Sequence, residues 1–72
     1  MEYIFPDYPR IAVHPGVCEG KPHIRGTRIM ISSILAHLAG GMTNETILIE
    51  FPRLQKEDIL EALSFASQRI NG

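Results

Sequence analysis

The 72-residue sequence contains one cysteine, no tryptophan and no long hydrophobic run. Cys18 alone cannot form an intramolecular disulfide, and the three histidines are not spaced with it as zinc ligands are. No stretch approaches the roughly 20 apolar residues that cross a bilayer, and the amino terminus lacks the apolar run of a signal peptide. We therefore expect a cytoplasmic protein with no membrane contact, no metal and no cofactor.

An excess of either charge is also missing. Seven Lys and Arg stand against eight Asp and Glu, which leaves a formal net charge of −1. A DNA-binding domain usually has a clear basic footprint, so this balance weakens any account based on nucleic acid alone. A domain of this length buries only about 60 % of its unfolded-chain surface. Self-association buries additional surface in so small a domain, and we therefore expect a homodimer.

From Ile31 onward the apolar residues recur with a helical period, which predicts three helices. The first ends at Gly40-Gly41 and the second is capped by Thr43. The third runs from about Gln55 to Ile70. Its predicted core stripe consists of Ile59, Leu63, Ala66 and Ile70. With that stripe facing the core, the opposite side of the helix carries Asp58, Glu61 and Phe65. We predict that this side suits a cationic protein surface.

Residues 1–30 are predicted to form a short, irregular β-hairpin arm. Pro6 and Pro9 argue against a helix and against a central strand at the amino terminus. The two short strands of the arm are predicted at Ile11–His14 and Arg28–Ile31. The expected fold is mainly α: a single domain over residues 1–72 in which the arm precedes a three-helix, helix-turn-helix-like bundle over residues 31–72.

The segment from Gly16 to Ile29, GVCEGKPHIRGTRI, is rich in turn residues and cations. Its glycines most simply supply backbone positions with positive φ. A phosphate-cradling loop is the rival interpretation, but the spacing to Lys21 is one residue short and Pro22 replaces the required Ser or Thr. The glycines that we assign to structural turns are Gly16, Gly20, Gly26, Gly40 and Gly41.

This segment, the apolar helix closing on AGGMTNETILIEFP and the final LQKEDILEALSFA together resemble the family catalogued as domain of unknown function 433. The resemblance covers roughly residues 11–67. It implies a helix-turn-helix-like, VapB-like antitoxin of a type II toxin–antitoxin system, whose partner is a PIN-like ribonuclease toxin. Such antitoxins often also bind their own operator DNA. One departure is Gln55, which stands where a Ser or Thr cap commonly opens the last helix.

Three cations of the segment are candidates for binding a partner protein or nucleic acid: Lys21, Arg25 and Arg28. Phosphates require only positive charge on a positioned surface. The alternative is that Arg28, together with Arg25, pairs with internal carboxylates and braces the arm against the helices. A toxin of the PIN-like class needs an acidic, metal-binding cleft, so insertion of Arg25 or Arg28 into that cleft is a simple inhibitory device.

Five aromatic or apolar residues outside the expected core stripes are candidates for a partner interface: Tyr3, Phe5, Tyr8, Ile49 and Phe65. A nucleophilic pair of Cys18 and a histidine is conceivable, but no orienting acid or oxyanion device accompanies it. We therefore predict no catalytic residue, no small-molecule substrate and no enzyme activity. The competing function is a stand-alone helix-turn-helix DNA-binding transcriptional regulator.

Overall fold

The computed structural model describes residues 1–71, with side chains as far as residue 69, and it combines one antiparallel sheet with three helices. The strands are hydrogen-bonded in the order β1-β2-β3. They are β1 Tyr3–Phe5, β2 Tyr8–Val13 and β3 His23–Ile24. The helices are α1 Ile31–Ala39, α2 Asn44–Glu50 and α3 Lys56–Asn71. The central strand β2 contacts α3, so sheet and helices form one layered unit.

The prediction of a mainly α fold is wrong, because the protein is a small α+β fold that is 48 % helical and 20 % strand. Residues 1–30 are not an arm in front of a bundle. Four fully buried isoleucines form the centre of a shared core, one each from β2, α1, α2 and α3: Ile11, Ile34, Ile47 and Ile59. Within the described residues, no helix has the length and apolar character that crossing a membrane requires.

The observed strands differ in position from the predicted ones. The predicted strand Ile11–His14 lies largely within β2, but Arg28–Ile31 is not a strand, since Ile31 already begins α1. Pro9 lies inside the central strand, where it was not expected. The β1–β2 register shifts after Ile4, so that residues 9–11 have no partner in β1. A proline is tolerated at such an irregularity because no ladder hydrogen bond needs its missing N–H.

The ends of the first two helices follow local signals, as predicted. Gly41 has a φ of 97°, and the N–H of Met42 donates to the carbonyl of His37 at 3.1 Å, which is the Schellman arrangement after α1. Thr43 caps α2, because its hydroxyl oxygen accepts from the N–H of Thr46 at 3.1 Å.

The rotation of α3 about its axis differs from the prediction. Phe65 is 5 % exposed, whereas Leu63 of the predicted core stripe is 42 % exposed. The rings of Phe5 and Tyr8 pack edge-to-face on Phe65, with centroids 4.9 and 5.3 Å away. These aromatic partners from the sheet turn Phe65 inward, which the aliphatic residues of the helix alone do not indicate. The side chain of Ile70, the last residue of the predicted stripe, lies outside the described residues.

The rotation of α3 can be tested with two truncations. Phe65→Ala should lower the free energy of unfolding by about 3–5 kcal/mol, a loss comparable with the whole stability of a small domain. Leu63→Ala, on the same helix, should cost less than about 1 kcal/mol because its side chain is already partly hydrated. Urea unfolding followed by circular dichroism measures both. A larger loss for Leu63→Ala than for Phe65→Ala would contradict the observed rotation.

Candidate functional site

Arg10 in β2 connects three parts of the molecule. Its backbone N–H donates to Oε2 of Glu61 at 2.6 Å, and its Nη1 donates to Oδ1 of Asp58 at 3.0 Å and to Oε1 of Gln55 at 2.9 Å. Its carbonyl accepts from the N–H of Arg25 at 2.8 Å. The shift in the β1–β2 register leaves Arg10 unpaired with β1, so its N–H is available for the helix. One residue therefore joins the sheet, α3 and the segment that carries Arg25.

Asp58 is 4 % exposed and serves two donors at once. One carboxylate oxygen pairs with Arg10, and the other accepts from the N–H of Gln55 at 2.8 Å. The second bond is one half of a capping box, and it compensates for the missing Ser or Thr at Gln55. The prediction that Asp58 and Glu61 form an outward acidic face is wrong, because Asp58 pairs with the guanidinium of Arg10 and Glu61 accepts from the backbone N–H of the same residue.

The Arg-Gly-Thr-Arg motif forms a closed turn over residues 24–29, which we call the arginine turn. The N–H of Thr27 donates to the carbonyl of Ile24 at 3.0 Å, and the N–H of Ile24 donates to the carbonyl of Ile29 at 2.9 Å. Gly26 has a φ of 81°, the value that a type II turn requires at its third position. The Thr27 hydroxyl donates to the carbonyl of Ile24 at 2.8 Å and accepts from the N–H of Ile29 at 3.0 Å. Backbone and side chain together hold this turn in one shape.

The arginine turn separates two neighbouring clefts on the surface. Arg28 lines the larger cleft, of about 500 Å³, and Arg25 lines the smaller one, of about 230 Å³. Thr27 and Arg53 line both. Nη2 of Arg53 donates to the carbonyl of Gly26 at 3.0 Å, so a third guanidinium is fixed at the turn from the loop between α2 and α3.

The charge around the turn is positive although the chain as a whole is slightly acidic. Arg25 and Arg28 are exposed, and among residues 1–69 their guanidinium groups have no hydrogen-bond or ion-pair partner. Asp58 is already paired with Arg10, which leaves Glu2 as the acid that lines either cleft without such a pair. Guanidinium groups bind carboxylates and phosphates with two parallel hydrogen bonds, and here the two groups are carried by a backbone that is held in one shape. The turn can therefore bind an anionic group from outside.

The structure brings together only part of the predicted cationic set. Arg25 and Arg28 flank the same turn, whereas Lys21 lines a different groove, between α1 and α3. The internal brace expected of Arg28 or Arg25 exists, but Arg10 supplies it. Sequence reasoning missed Arg10 and Arg53, and no local pattern marks either residue. The contact of Arg53 spans 27 residues of sequence.

The five predicted interface residues do not form one surface. Tyr3 is 52 % exposed and its ring lies edge-on to Phe5, 5.1 Å away. Phe5 and Tyr8 are half-buried against Phe65, and the expectation that Phe65 lies outside the core is wrong, because its side chain is buried in the shared core. Ile49, on α2, is 81 % exposed and is the most exposed of the five. The aromatic residues therefore serve mainly to attach the sheet to α3.

Cys18 and the histidines have local structural roles. Cys18, Glu19 and Gly20 have φ values of 51°, 57° and 78°, so the Cys18–Gly20 turn is left-handed, whereas Gly16 does not have a positive φ. The Cys18 thiol donates to the carbonyl of Arg28 at 3.3 Å. Each histidine is hydrogen-bonded to nearby backbone: His14 to Gly16, His23 to Lys21 and His37 to Ser33. In the described part of the chain, no three His, Cys, Asp or Glu side chains are grouped to hold a metal ion.

Fold and site together define a small α+β domain that presents a rigid, arginine-bearing turn. The model of the family described as Protein of unknown function (DUF433) matches residues 11–66, and the chain belongs to that family. The crystal structure of a DUF433 member protein from Anabaena variabilis is similar, with a TM-score of 0.81 and 32 % sequence identity over 86 % of this chain. The match covers 61 % of that protein's chain, so this chain spans about three-fifths of its length. A search among curated proteins found no match.

The shape of the arginine turn can be tested at Gly26. A Cβ there meets no atom within 4 Å, so the cost of Gly26→Ala comes only from its φ of 81°, and it should be about 1–2 kcal/mol of stability. Gly40→Ala is the matched control, because Gly40 has a φ of −78° that alanine adopts freely. The control should change the free energy of unfolding by less than about 0.5 kcal/mol. Equal effects in urea unfolding would contradict the turn geometry.

Proposed function

We propose that this protein is a VapB-like antitoxin that binds and neutralises a PIN-like ribonuclease. The observation that carries the proposal is the arginine turn: Arg25 and Arg28 are exposed, have no internal partner among residues 1–69, and project from a backbone fixed by Thr27 and Gly26. The class of partner is what the resemblance to the DUF433 family implies. The turn supplies a physical means of inhibition.

The means of inhibition follows from charge and rigidity. A PIN-like ribonuclease needs clustered carboxylates to hold its metal ions, and a guanidinium placed among them pairs with those carboxylates in the metal's place. Because the backbone of the turn is already held by internal hydrogen bonds, little backbone conformational freedom is lost when it enters a cleft, and the ordering cost falls on the arginine side chains. Arg28 borders the larger of the two clefts beside the turn. We therefore assign Arg28 the leading inhibitory role and Arg25 a supporting one.

The regulator alternative depends on α3 acting as a recognition helix. Its acids Asp58 and Glu61 are engaged by Arg10, and the exposed face of α3 includes the apolar Leu60 and Leu63. Such a face offers few donors to base edges in the major groove. These observations favour an antitoxin over a stand-alone regulator. Where operator DNA is bound as well, the arginine turn is the place for phosphate contacts.

The proposal is tested by reversing one charge at the turn. Arg28→Glu should weaken binding to a PIN-like ribonuclease partner by about 30-fold or more, because it replaces an attractive interfacial charge pair with a repulsive one. Titration calorimetry measures the affinity, and cleavage of a model RNA measures inhibition. Unfolding experiments should give the same stability as for the wild type, since the Arg28 side chain makes no internal bond among residues 1–69.

Lys56→Glu is the control for Arg28→Glu. It reverses one exposed positive charge at the start of α3, at a residue that lines neither cleft beside the turn. The control should inhibit the ribonuclease as the wild type does. Unchanged inhibition by Arg28→Glu would contradict the proposal. If Arg28→Glu instead abolished salt-sensitive binding to the upstream DNA while ribonuclease binding stayed intact, the regulator alternative would replace it.

A further inference from the structure

A second surface, independent of the arginine turn, is a groove between α1 and α3 with a volume of about 370 Å³. We call it the α1–α3 groove. Its walls and floor are mostly apolar: Pro22, Ile31, Leu35, Phe65 and Ala66. The remaining lining residues are Ser32 and two cations, Lys21 and Arg69, and among residues 1–69 no acid lines it. An apolar floor with positive charge at its edge suits an apolar side chain that is accompanied by carboxylates.

Arg69 is held in place at this groove. Its Cζ lies 4.2 Å from the centroid of the Phe65 ring and 5.3 Å from that of Phe5, so the guanidinium covers the aromatic cluster. Among residues 1–69, neither Arg69 nor Lys21 forms an ion pair. Both cations are therefore free to pair with carboxylates from another molecule.

The chain carries the complementary shape and charge on α2. Ile49 is 81 % exposed, although it lies in a helix whose neighbouring residue Ile47 is fully buried. Glu45 lies one helical turn before Ile49 on the same face of α2, and Glu50 follows Ile49 about 100° further around the helix, so one acid lies on each side of the apolar side chain. Both acids are exposed, and neither forms an ion pair within the described residues. We call Glu45, Ile49 and Glu50 the α2 knob.

We propose that the α2 knob of one copy docks into the α1–α3 groove of a second copy. Ile49 lies on the apolar floor formed by Leu35 and Phe65, while the two acids of the knob pair with Lys21 and Arg69. Charge complementarity favours this occupant, because the described lining of the groove carries two cations and no acid, whereas the knob carries two acids. The contact also removes an exposed isoleucine from water in an 8.1 kDa domain that is short of buried surface. The proposal does not depend on the antitoxin function.

The test uses one variant on each side of the contact. Ser32→Glu places a carboxylate in the groove at an exposed position in the first turn of α1, where an acid is compatible with the helix. Ile49→Glu removes the apolar part of the knob. Sedimentation equilibrium of the wild type over micromolar to millimolar concentrations should give a mass of at least twice 8.1 kDa. Each variant should raise the dissociation constant by about 30-fold or more, the effect of losing an interfacial anchor.

Mixing the two variants makes the test specific. Ser32→Glu keeps an intact knob and Ile49→Glu keeps an intact groove, so an equimolar mixture should form a heterodimer at a concentration where each variant alone is mostly monomeric. Ser64→Glu and Leu60→Glu are the controls, because they alter exposed positions of α3 that do not line the groove. Circular dichroism verifies that every variant is folded. A wild type that stays at 8.1 kDa, a mixture that does not associate, or controls that dissociate equally would overturn the proposal.

Discussion

The attachment of the sheet to α3 through Arg10 is the interaction on which the rest of the structure depends. The residue uses its N–H, its guanidinium and its carbonyl to bind Glu61, Asp58 and Arg25 respectively. Its first bond exists because the β1–β2 register shift frees the N–H, and its second is with a carboxylate that also caps α3. The same residue thus sets the rotation of the helix and the position of the arginine turn, and this links the fold directly to the candidate site.

Local sequence signals predicted the elements whose stability is local. Gly41 and Thr43 mark helix ends through backbone conformation and capping, and both work as the sequence indicates. The sheet was predicted only in part: the second half of β2 was expected, whereas β1 and the start of β2 were missed because Pro6 and Pro9 argue against a strand unless the register shift is known. The rotation of α3 was missed because aromatic partners and Arg10, about 50 residues earlier in the chain, decide it. Helical periodicity identifies an apolar stripe but does not identify what that stripe meets.

The candidate site was partly visible in the sequence for the same reason. The Arg-Gly-Thr-Arg motif closes on itself, so its glycine, hydroxyl and flanking cations are recognisable without the rest of the molecule. The internal ion pair joins Arg10 to Asp58, a carboxylate far along the chain, and the sequence alone does not indicate which arginine pairs with it. Because Arg10 takes that role, Arg25 and Arg28 are left for an external anion. The pairing of Asp58 with Arg10 therefore supports the proposal that the arginine turn inhibits a ribonuclease.

A double-mutant cycle between Arg10 and Asp58 tests this account most directly. Arg10→Met keeps most of the side-chain volume and removes the guanidinium, while Asp58→Ala removes the carboxylate. Because the Asp58 side chain is 6 % exposed and that of Arg10 is 37 % exposed, screening by water is only partial. We predict a coupling free energy of about 1–3 kcal/mol in urea unfolding of the two single variants and the double variant. Additive effects within about 0.3–0.5 kcal/mol would contradict a structure organised around this pair.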